Sequence, residues 1–180
     1  MSGVDIAFGL VGVLCLANLV LTCMLVRRIR LREARTAAAP RFRAQAGLVP
    51  GTKVADFSTV TVEGEPRSLA ALAGGRALVA FFSATCTSCR KQLPEFVELA
   101  RTFPGGKSQV LAVVAGEEAE AARFAAGLTD DASVVFEHWH GPVARAFEVR
   151  GFPSFYLVGA DGRIVSSGLA VAALAGPVPA

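Results

Sequence analysis

The chain has 180 residues, of which 53% are hydrophobic and 18% charged, and its formal net charge is +3. This length allows one ordinary domain with an appendage and excludes a large multidomain enzyme, while the apolar content excludes a mostly disordered chain. The basic excess lies in residues 1–45, whereas residues 46–180 carry 11 basic and 13 acidic side chains. Because the larger segment has no basic excess, we expect no nucleic-acid partner.

The first predicted element is an uncharged helix at residues 6–26, in which Asn18 is the only strongly polar residue. As a helix this run would extend about 30 Å, the thickness of the hydrocarbon core of a bilayer. A buried core helix rarely stays apolar on every face over such a length. A cleaved signal peptide fits poorly, because residues 1–5 contain no Lys or Arg. We therefore predict that residues 1–26 form a single-pass anchor in the cell membrane, with residues 6–26 in contact with the lipid bilayer.

Residues 27–47 are predicted to form a basic juxtamembrane segment and linker. The segment begins with the Arg-rich sequence RRIRLREAR and then turns to Ala, Pro and Gln. Such a cluster is typical of a segment that contacts anionic lipid headgroups. Basic residues beside a transmembrane helix tend to stay cytoplasmic, so this flank favours a cytoplasmic position for everything that follows it.

Residues 48–180 are predicted to form one domain in which strands and helices alternate. The patterns predict, in chain order, a strand at 56–62 with a hairpin turn after it, a helix at 69–73, a strand at 76–83, a helix from 86 toward 103, a strand at 109–115, a helix at 117–127, a strand at 133–137, a helix at 142–147, and strands at 154–159 and 163–167. The run at 76–83 is continuously apolar, as in a strand buried on both faces. This order predicts an α/β fold with a mixed sheet and helices on both faces.

Two cysteines give this domain a candidate chemistry. Cys86 and Cys89 are separated by two residues and lie in the first turn of a predicted helix, directly after a buried strand. The N-terminus of a helix carries about half a positive charge and free N–H groups, which stabilise a thiolate. Cys86 is therefore the predicted nucleophile. Cys89 lies one turn further on, where it can attack a mixed disulfide at Cys86 and release the product.

Other kinds of chemistry compete with redox exchange as the use of this cysteine pair. A zinc site needs a second pair of ligands, and no other Cys follows residue 26. A copper-binding or copper-delivering protein would have three residues between its cysteines, where this pair has two, and a distant His, for which His138 and His140 are the only candidates. A thiol peroxidase would have Thr three residues before its reactive Cys, where Ser83 precedes Cys86. Copper binding and peroxidase activity remain the alternative functions.

Three segments resemble a known family. Residues 81–94 (FFSATCTSCRKQLP) resemble the active-site segment of thioredoxin-like proteins, residues 151–158 (GFPSFYLV) resemble their cis-proline segment, and residues 50–57 (PGTKVADF) look like the opening of the redoxin branch. That branch contains the TlpA/ResA-type reductases, the methylamine-utilisation accessory oxidoreductases and the peroxiredoxins. The first two groups usually carry an N-terminal membrane anchor.

The resemblance implies a thioredoxin-like fold and a thiol:disulfide oxidoreductase activity. It implies that Cys86 attacks, that Cys89 resolves, and that Pro153 is the cis-proline opposite them. It also implies a protein disulfide or dithiol as the substrate, and we expect no cofactor and no metal. Anchored TlpA/ResA-type reductases usually work outside the cytoplasm, so the resemblance and the Arg-rich flank favour opposite sides of the membrane.

The sequence departs from the family pattern in three places. Thr85 stands where Trp is usual before the first Cys, Ala80 stands where thioredoxins have a buried Asp, and Gln92 stands where many TlpA/ResA-type reductases have Glu. Both carboxylates that usually accept the proton of the second Cys are therefore missing. A buried thiol needs an acceptor for its proton, and the sequence leaves water or Glu95 for that of Cys89.

Overall fold

The computed structural model describes Leu16, Asn18 and residues 47–175. Apart from those two helical residues, the predicted membrane anchor and the Arg-rich segment after it lie outside the described residues, as do residues 176–180. Within the described part, no helix is both long enough and apolar enough to cross a bilayer. The membrane anchor stays a prediction.

The described elements follow the predicted order. They are β1 (Ser58–Val60), β2 (Pro66–Ser68), α1 (Leu69–Leu72), β3 (Ala77–Ser83), α2 (Thr87–Arg101), a 3-10 helix (Gly106–Gln109), β4 (Val110–Ala115), α3 (Glu118–Ala125), β5 (Ser133–Glu137), α4 (Pro142–Ala146), β6 (Ser154–Val158), β7 (Ile164–Gly168) and a second 3-10 helix (Val171–Ala175). Strands β1 and β2 pair antiparallel, which confirms the predicted hairpin. The patterns thus predicted the type and order of the α-helices and of the five strands of the main sheet, with small shifts at their ends, but neither of the two 3-10 helices.

Strand β3 occupies the centre of a five-stranded sheet in the order β5-β4-β3-β6-β7. It runs parallel to β4, which runs parallel to β5, and antiparallel to β6, which is antiparallel to β7. All seven residues of β3 are buried, which explains why its sequence is apolar without alternation. The predicted mixed sheet is confirmed.

Helices cover both faces of this sheet. Leu78, Ala80 and Phe82 of β3 belong to a core that contains buried residues of α2 and α3. The alternate residues of β3 belong to a second core with buried residues of α1 and α4. Successive side chains of a strand point to opposite faces, so one central strand supports both cores. The prediction of helices on both faces is confirmed.

The two ends of the sheet receive different loops. At one end, Ser83, Ala115 and Glu137 are neighbours across β3, β4 and β5, and Ser154 of β6 lies beside Phe81. We call this the cysteine end, because the loop to α2 begins there. At the other end, which we call the hairpin end, the turn of residues 159–163 joins β6 to β7. The loops after all three parallel strands therefore converge at the cysteine end.

Candidate active site

Cys86 lies at the beginning of α2. Its backbone N–H donates to the Ser83 carbonyl at 3.1 Å, which closes the turn between β3 and the helix. Cys86 is the N-cap residue, with φ −81° and ψ 117°, and its Sγ accepts a hydrogen bond from the Cys89 N–H at 3.3 Å. An N–H aimed at a sulfur from a helix N-terminus stabilises negative charge on that sulfur. This is the charge that an attacking thiolate carries.

The predicted cis-proline segment lies directly beside Cys86. The Cys86 thiol donates to the Phe152 carbonyl at a distance of 3.7 Å. The peptide bond between Phe152 and Pro153 is cis, as the resemblance implied, and Pro153 is buried. Two segments separated by 66 residues in the chain are thus brought together at the cysteine end. The role of Pro153 in exchange stays a prediction.

Cys89 occupies a different environment one helical turn away. Its exposed fraction is 0%, and its Sγ accepts a hydrogen bond from the Ser83 N–H at 3.4 Å. Burial, together with a hydrogen bond to the Cys86 side chain, raises the pKa of the Cys89 thiol to about 12, although the Ser83 N–H acts in the opposite direction. Both cysteines are free thiols. Cys89 is therefore protonated at neutral pH and shielded from any external partner, whereas Cys86 is half-exposed.

No carboxylate of residues 47–175 is hydrogen-bonded to Cys89. Ala80 is fully buried in β3, and the Gln92 side-chain oxygen accepts a hydrogen bond from the Val171 N–H at 3.1 Å. That contact connects α2 to the last 3-10 helix. Glu95 borders a cleft formed with side chains of that same 3-10 helix. Of the two proton acceptors that the sequence left open, this arrangement favours water.

The basic residues that follow Cys89 are exposed. The Arg90 guanidinium donates to the Ala84 carbonyl at 3.1 Å and borders a cleft of about 440 Å³ whose lining includes Thr85 and Arg123. Thr85, which stands where Trp is usual, is exposed, and its hydroxyl shares a hydrogen bond of 3.3 Å with that of Ser83. The positive charge of Arg90 thus lies along the loop that leads to Cys86.

Sequence reasoning missed the contribution of Trp139. His138 and His140 entered the sequence analysis only as copper-ligand candidates, and the segment His138–His140 is a loop. The Trp139 ring, however, packs edge-on against the Phe152 ring, with centroids 4.8 Å apart and planes at 74°. A signal for this contact existed, because β5 lies in the same parallel arrangement as β3, so the residues after β5 reach the same end of the sheet.

Glu137 was also missed. Its buried carboxylate accepts hydrogen bonds from the N–H groups of Val143 and Ala144, at 2.9 and 3.1 Å. Burial raises the pKa of Glu137, against the effect of those two donors and of the Arg145 charge. This carboxylate fixes the beginning of α4 and therefore the loop that carries Trp139.

The copper alternative receives no support from the geometry. Among the described residues, no group of three or more His, Cys, Asp or Glu side chains is placed to hold a metal ion.

Comparisons with known proteins give the family and the fold. The AhpC/TSA family matches residues 50–167, whereas no curated protein sequence matches the chain. A thiol:disulfide interchange protein of the thioredoxin family from Chlorobium tepidum is 24% identical, with a TM-score of 0.56, over 72% of this chain and 94% of that one. The thioredoxin domain of a thiol-disulfide oxidoreductase from Bacteroides vulgatus is 23% identical, with a TM-score of 0.58, over 71% and 93%. The pneumococcal exposed lipoprotein thioredoxin from Streptococcus pneumoniae is 24% identical, with a TM-score of 0.55, over 67% and 96%.

The family match covers the segments that carried the resemblance, from residue 50 through the cysteine pair and the cis-proline. The structural likeness extends over the same sheet and helices. The chain therefore belongs to the AhpC/TSA family, and its fold is that of the thioredoxin-like thiol:disulfide oxidoreductases.

Proposed function

We propose that the protein is a membrane-anchored thiol:disulfide oxidoreductase that exchanges disulfides with a protein partner through Cys86 and Cys89. The observation that carries the proposal is the difference between the two sulfurs. Cys86 is half-exposed and accepts an N–H at the start of α2, whereas Cys89 is fully buried behind it. A partner reaches only the first sulfur, and the second is within reach of the first.

The exchange then runs in two steps. The Cys86 thiolate attacks one sulfur of the partner disulfide, a bond forms between these sulfurs, and the partner's own disulfide breaks, with its leaving thiolate taking a proton from water. Cys89 then loses its proton to water and attacks Cys86 Sγ. The Cys86–Cys89 disulfide forms, the second partner sulfur leaves, and two electrons have passed to the partner. A dithiol protein that reduces the Cys86–Cys89 disulfide completes the cycle, and the reverse sequence oxidises a partner dithiol.

Peroxidase activity has less support. The positions that a peroxidase motif would give to Thr and Pro are held by Ser83 and Val79. Both residues are buried in β3, and the Ser83 hydroxyl is engaged with Thr85. Neither residue offers a peroxide the polar contacts that this chemistry requires beside the reacting sulfur.

The anchor at residues 6–26 and its orientation are part of the proposal. The absence of charge along this run supports insertion into the bilayer. The Arg-rich flank supports a cytoplasmic position for the cysteine pair, whereas likeness to an exposed lipoprotein thioredoxin supports the opposite side. An impermeant maleimide applied to intact cells after reduction decides between them. Labelling of Cys86 before lysis gives the extracytoplasmic side, and labelling only after lysis gives the cytoplasmic side.

The exchange mechanism is tested by trapping. In full-length Cys89→Ser, the first step proceeds and the second cannot, so we expect a covalent complex with the partner that survives on a non-reducing gel and is released by dithiothreitol. The matched control is Cys86→Ser, which retains the buried thiol but should trap nothing. Equal trapping by both variants, or by neither, would reject the assignment of the two roles.

A further inference from the structure

Trp139 is unusual among the large apolar side chains of the described residues. It is 56% exposed and is the one aromatic ring among the exposed large hydrophobic residues of the part of the chain that the structure describes. Its loop follows β5 at the cysteine end and precedes α4. Single exposed apolar residues need no explanation, but an exposed aromatic ring that adjoins a reactive group does.

The Trp139 indole is connected to the reactive sulfur of Cys86 through contacts with a single residue, Phe152. Its ring packs on Phe152 at 4.8 Å between centroids, and the Phe152 carbonyl accepts the hydrogen bond from Cys86 Sγ. The indole also borders a cleft of about 460 Å³ lined by residues 136–142 and Thr59. Any protein whose sulfur reaches Cys86 must therefore place its neighbouring residues close to these two rings.

The loop that carries Trp139 is held in place at both ends. The Glu137 carboxylate at its start binds the N–H groups of Val143 and Ala144 after its end. The Gly141 N–H donates to the His138 carbonyl at 3.0 Å. A side chain at Gly141 would collide with the Glu137 carboxylate, so glycine allows the loop to close this tightly. A surface that is fixed before binding loses little conformational entropy when a partner is bound.

We propose that Trp139 and Phe152 form an aromatic platform that selects the partner, and that its occupant is an apolar side chain next to the cysteine of the partner segment. The proposal rests on the proposed function, because the platform is defined by its position beside Cys86. Aromatic rings bind an apolar or aromatic side chain edge-on or offset-stacked and gain more than burial alone provides. A partner segment with small polar residues beside its cysteine leaves both rings in water.

The test compares two pentapeptide disulfides as substrates of the reduced, full-length protein. The homodisulfides of Gly-Phe-Cys-Phe-Gly and Gly-Ser-Cys-Ser-Gly react with the same Cys86, so the ratio of their second-order rate constants is independent of the reactivity of that sulfur. We expect the wild type to prefer the Phe peptide about five- to tenfold. Trp139→Ala should reduce the ratio to less than about twofold, and Trp139→Phe should retain part of it.

Val49→Ala is the matched control. Val49 is another exposed apolar residue, but it lies near the hairpin end, where the neighbouring Gly51 N–H binds the Ile164 carbonyl. This variant should keep the wild-type ratio. An unchanged ratio in Trp139→Ala, or an equal fall in Val49→Ala, would overturn the platform alone. A wild type that fails to reduce even hydroxyethyl disulfide would overturn the proposed function, and the platform with it.

Discussion

The cysteine end and the hairpin end belong to the same sheet and adjoin the same two cores, yet they expose different groups to solvent. At the hairpin end, the Gly159 N–H binds the Arg163 carbonyl at 2.8 Å, and the Arg163 guanidinium donates to the Gly51 carbonyl at 2.8 Å. At the cysteine end, a half-exposed thiol and an exposed indole face outward. The sheet provides the same rigid support at both ends, and the loops determine which end can act on a partner.

The largest expected effect is the pH dependence of the attack by Cys89, which distinguishes the two sulfurs at the cysteine end. Because burial raises the pKa of Cys89 to about 12, its thiolate fraction should increase about tenfold per pH unit throughout the neutral range. With dithiobis(nitrobenzoate), the first release of thionitrobenzoate reports attack by Cys86 and the second reports resolution by Cys89. We expect the second rate to rise about a hundredfold between about pH 7 and 9. Cys89→Ser should show no second release, and a plateau below about pH 8 would contradict the role of burial.

The next prediction concerns the Glu137 carboxylate, whose hydrogen bonds fix the start of α4 at the cysteine end. In Glu137→Gln, only one oxygen remains to accept from the Val143 and Ala144 N–H groups, which leaves one buried donor without a partner. We expect a loss of about 1–2 kcal/mol in the free energy of unfolding at neutral pH, measured with urea. Asp161→Asn, at the exposed hairpin turn, is the control and should change stability by less than about 0.5 kcal/mol.

The same variant has a pH dependence with a definite sign. Burial raises the pKa of Glu137 in the folded state. The stabilising contribution of such a group is complete below its unfolded pKa and is lost as the pH rises through its folded pKa. The difference in stability between wild type and Glu137→Gln should therefore be larger at about pH 5 than at about pH 8. A difference that increases with pH would contradict the direction of the shift.

A smaller effect, on the rate of resolution by Cys89, is expected when a carboxylate is introduced near this thiol by Gln92→Glu. A carboxylate in Gln92→Glu can still accept from the Val171 N–H, and it lies three residues after Cys89 on the same helix. We expect resolution by Cys89 to become about tenfold faster at neutral pH, because the carboxylate can accept the thiol proton. Gln92→Ala removes the Val171 contact without adding a base and should show no acceleration. Equal acceleration in both variants would assign the effect to loosening of the last 3-10 helix.

The smallest effect is expected at the hairpin end. Arg163→Ala removes the hydrogen bond to Gly51 and an exposed ion pair with Asp161. Exposed ion pairs contribute little, so we expect a loss of less than about 1 kcal/mol in unfolding free energy. The rate of peptide disulfide reduction should stay within about twofold of the wild type, because no group near the sulfur changes. A large fall in the rate of disulfide exchange in this variant would contradict the conclusion that only the cysteine end acts on the partner.

The fold was largely predictable because its signals are local. The continuous apolar run of β3, the Ser68 cap of α1 and the turn after Gly159 are each encoded within a few residues. The predicted placement of Cys86 and Cys89 at the start of one helix was equally local, because it follows from the apolar strand before them and from their spacing. Element ends shifted by a few residues, since hydrophobic patterns do not determine where a ladder of hydrogen bonds stops.

The remainder of the site depends on contacts between distant segments. Nothing local shows that Trp139 packs on Phe152, that Glu137 binds the start of α4, or that Gln92 accepts from Val171. These contacts require the strand order and the register of β5 against β4. Hydrophobic patterns predict the helices and strands but not the register between strands. The two cysteines were therefore predictable, whereas the residues that contact them from distant segments were not.

The central claim is that Cys86 attacks the partner disulfide and that the buried Cys89 resolves the mixed disulfide. Competitive alkylation measures the difference in reactivity between the two thiols directly. Full-length reduced protein in detergent is treated with iodoacetamide for increasing times across about pH 5 to 9, and each cysteine peptide is quantified by mass spectrometry. Because Cys86 is half-exposed at the start of α2 and Cys89 is fully buried with a raised pKa, Cys86 should be modified long before Cys89 at every pH. Equal rates for the two thiols across this range would contradict the account.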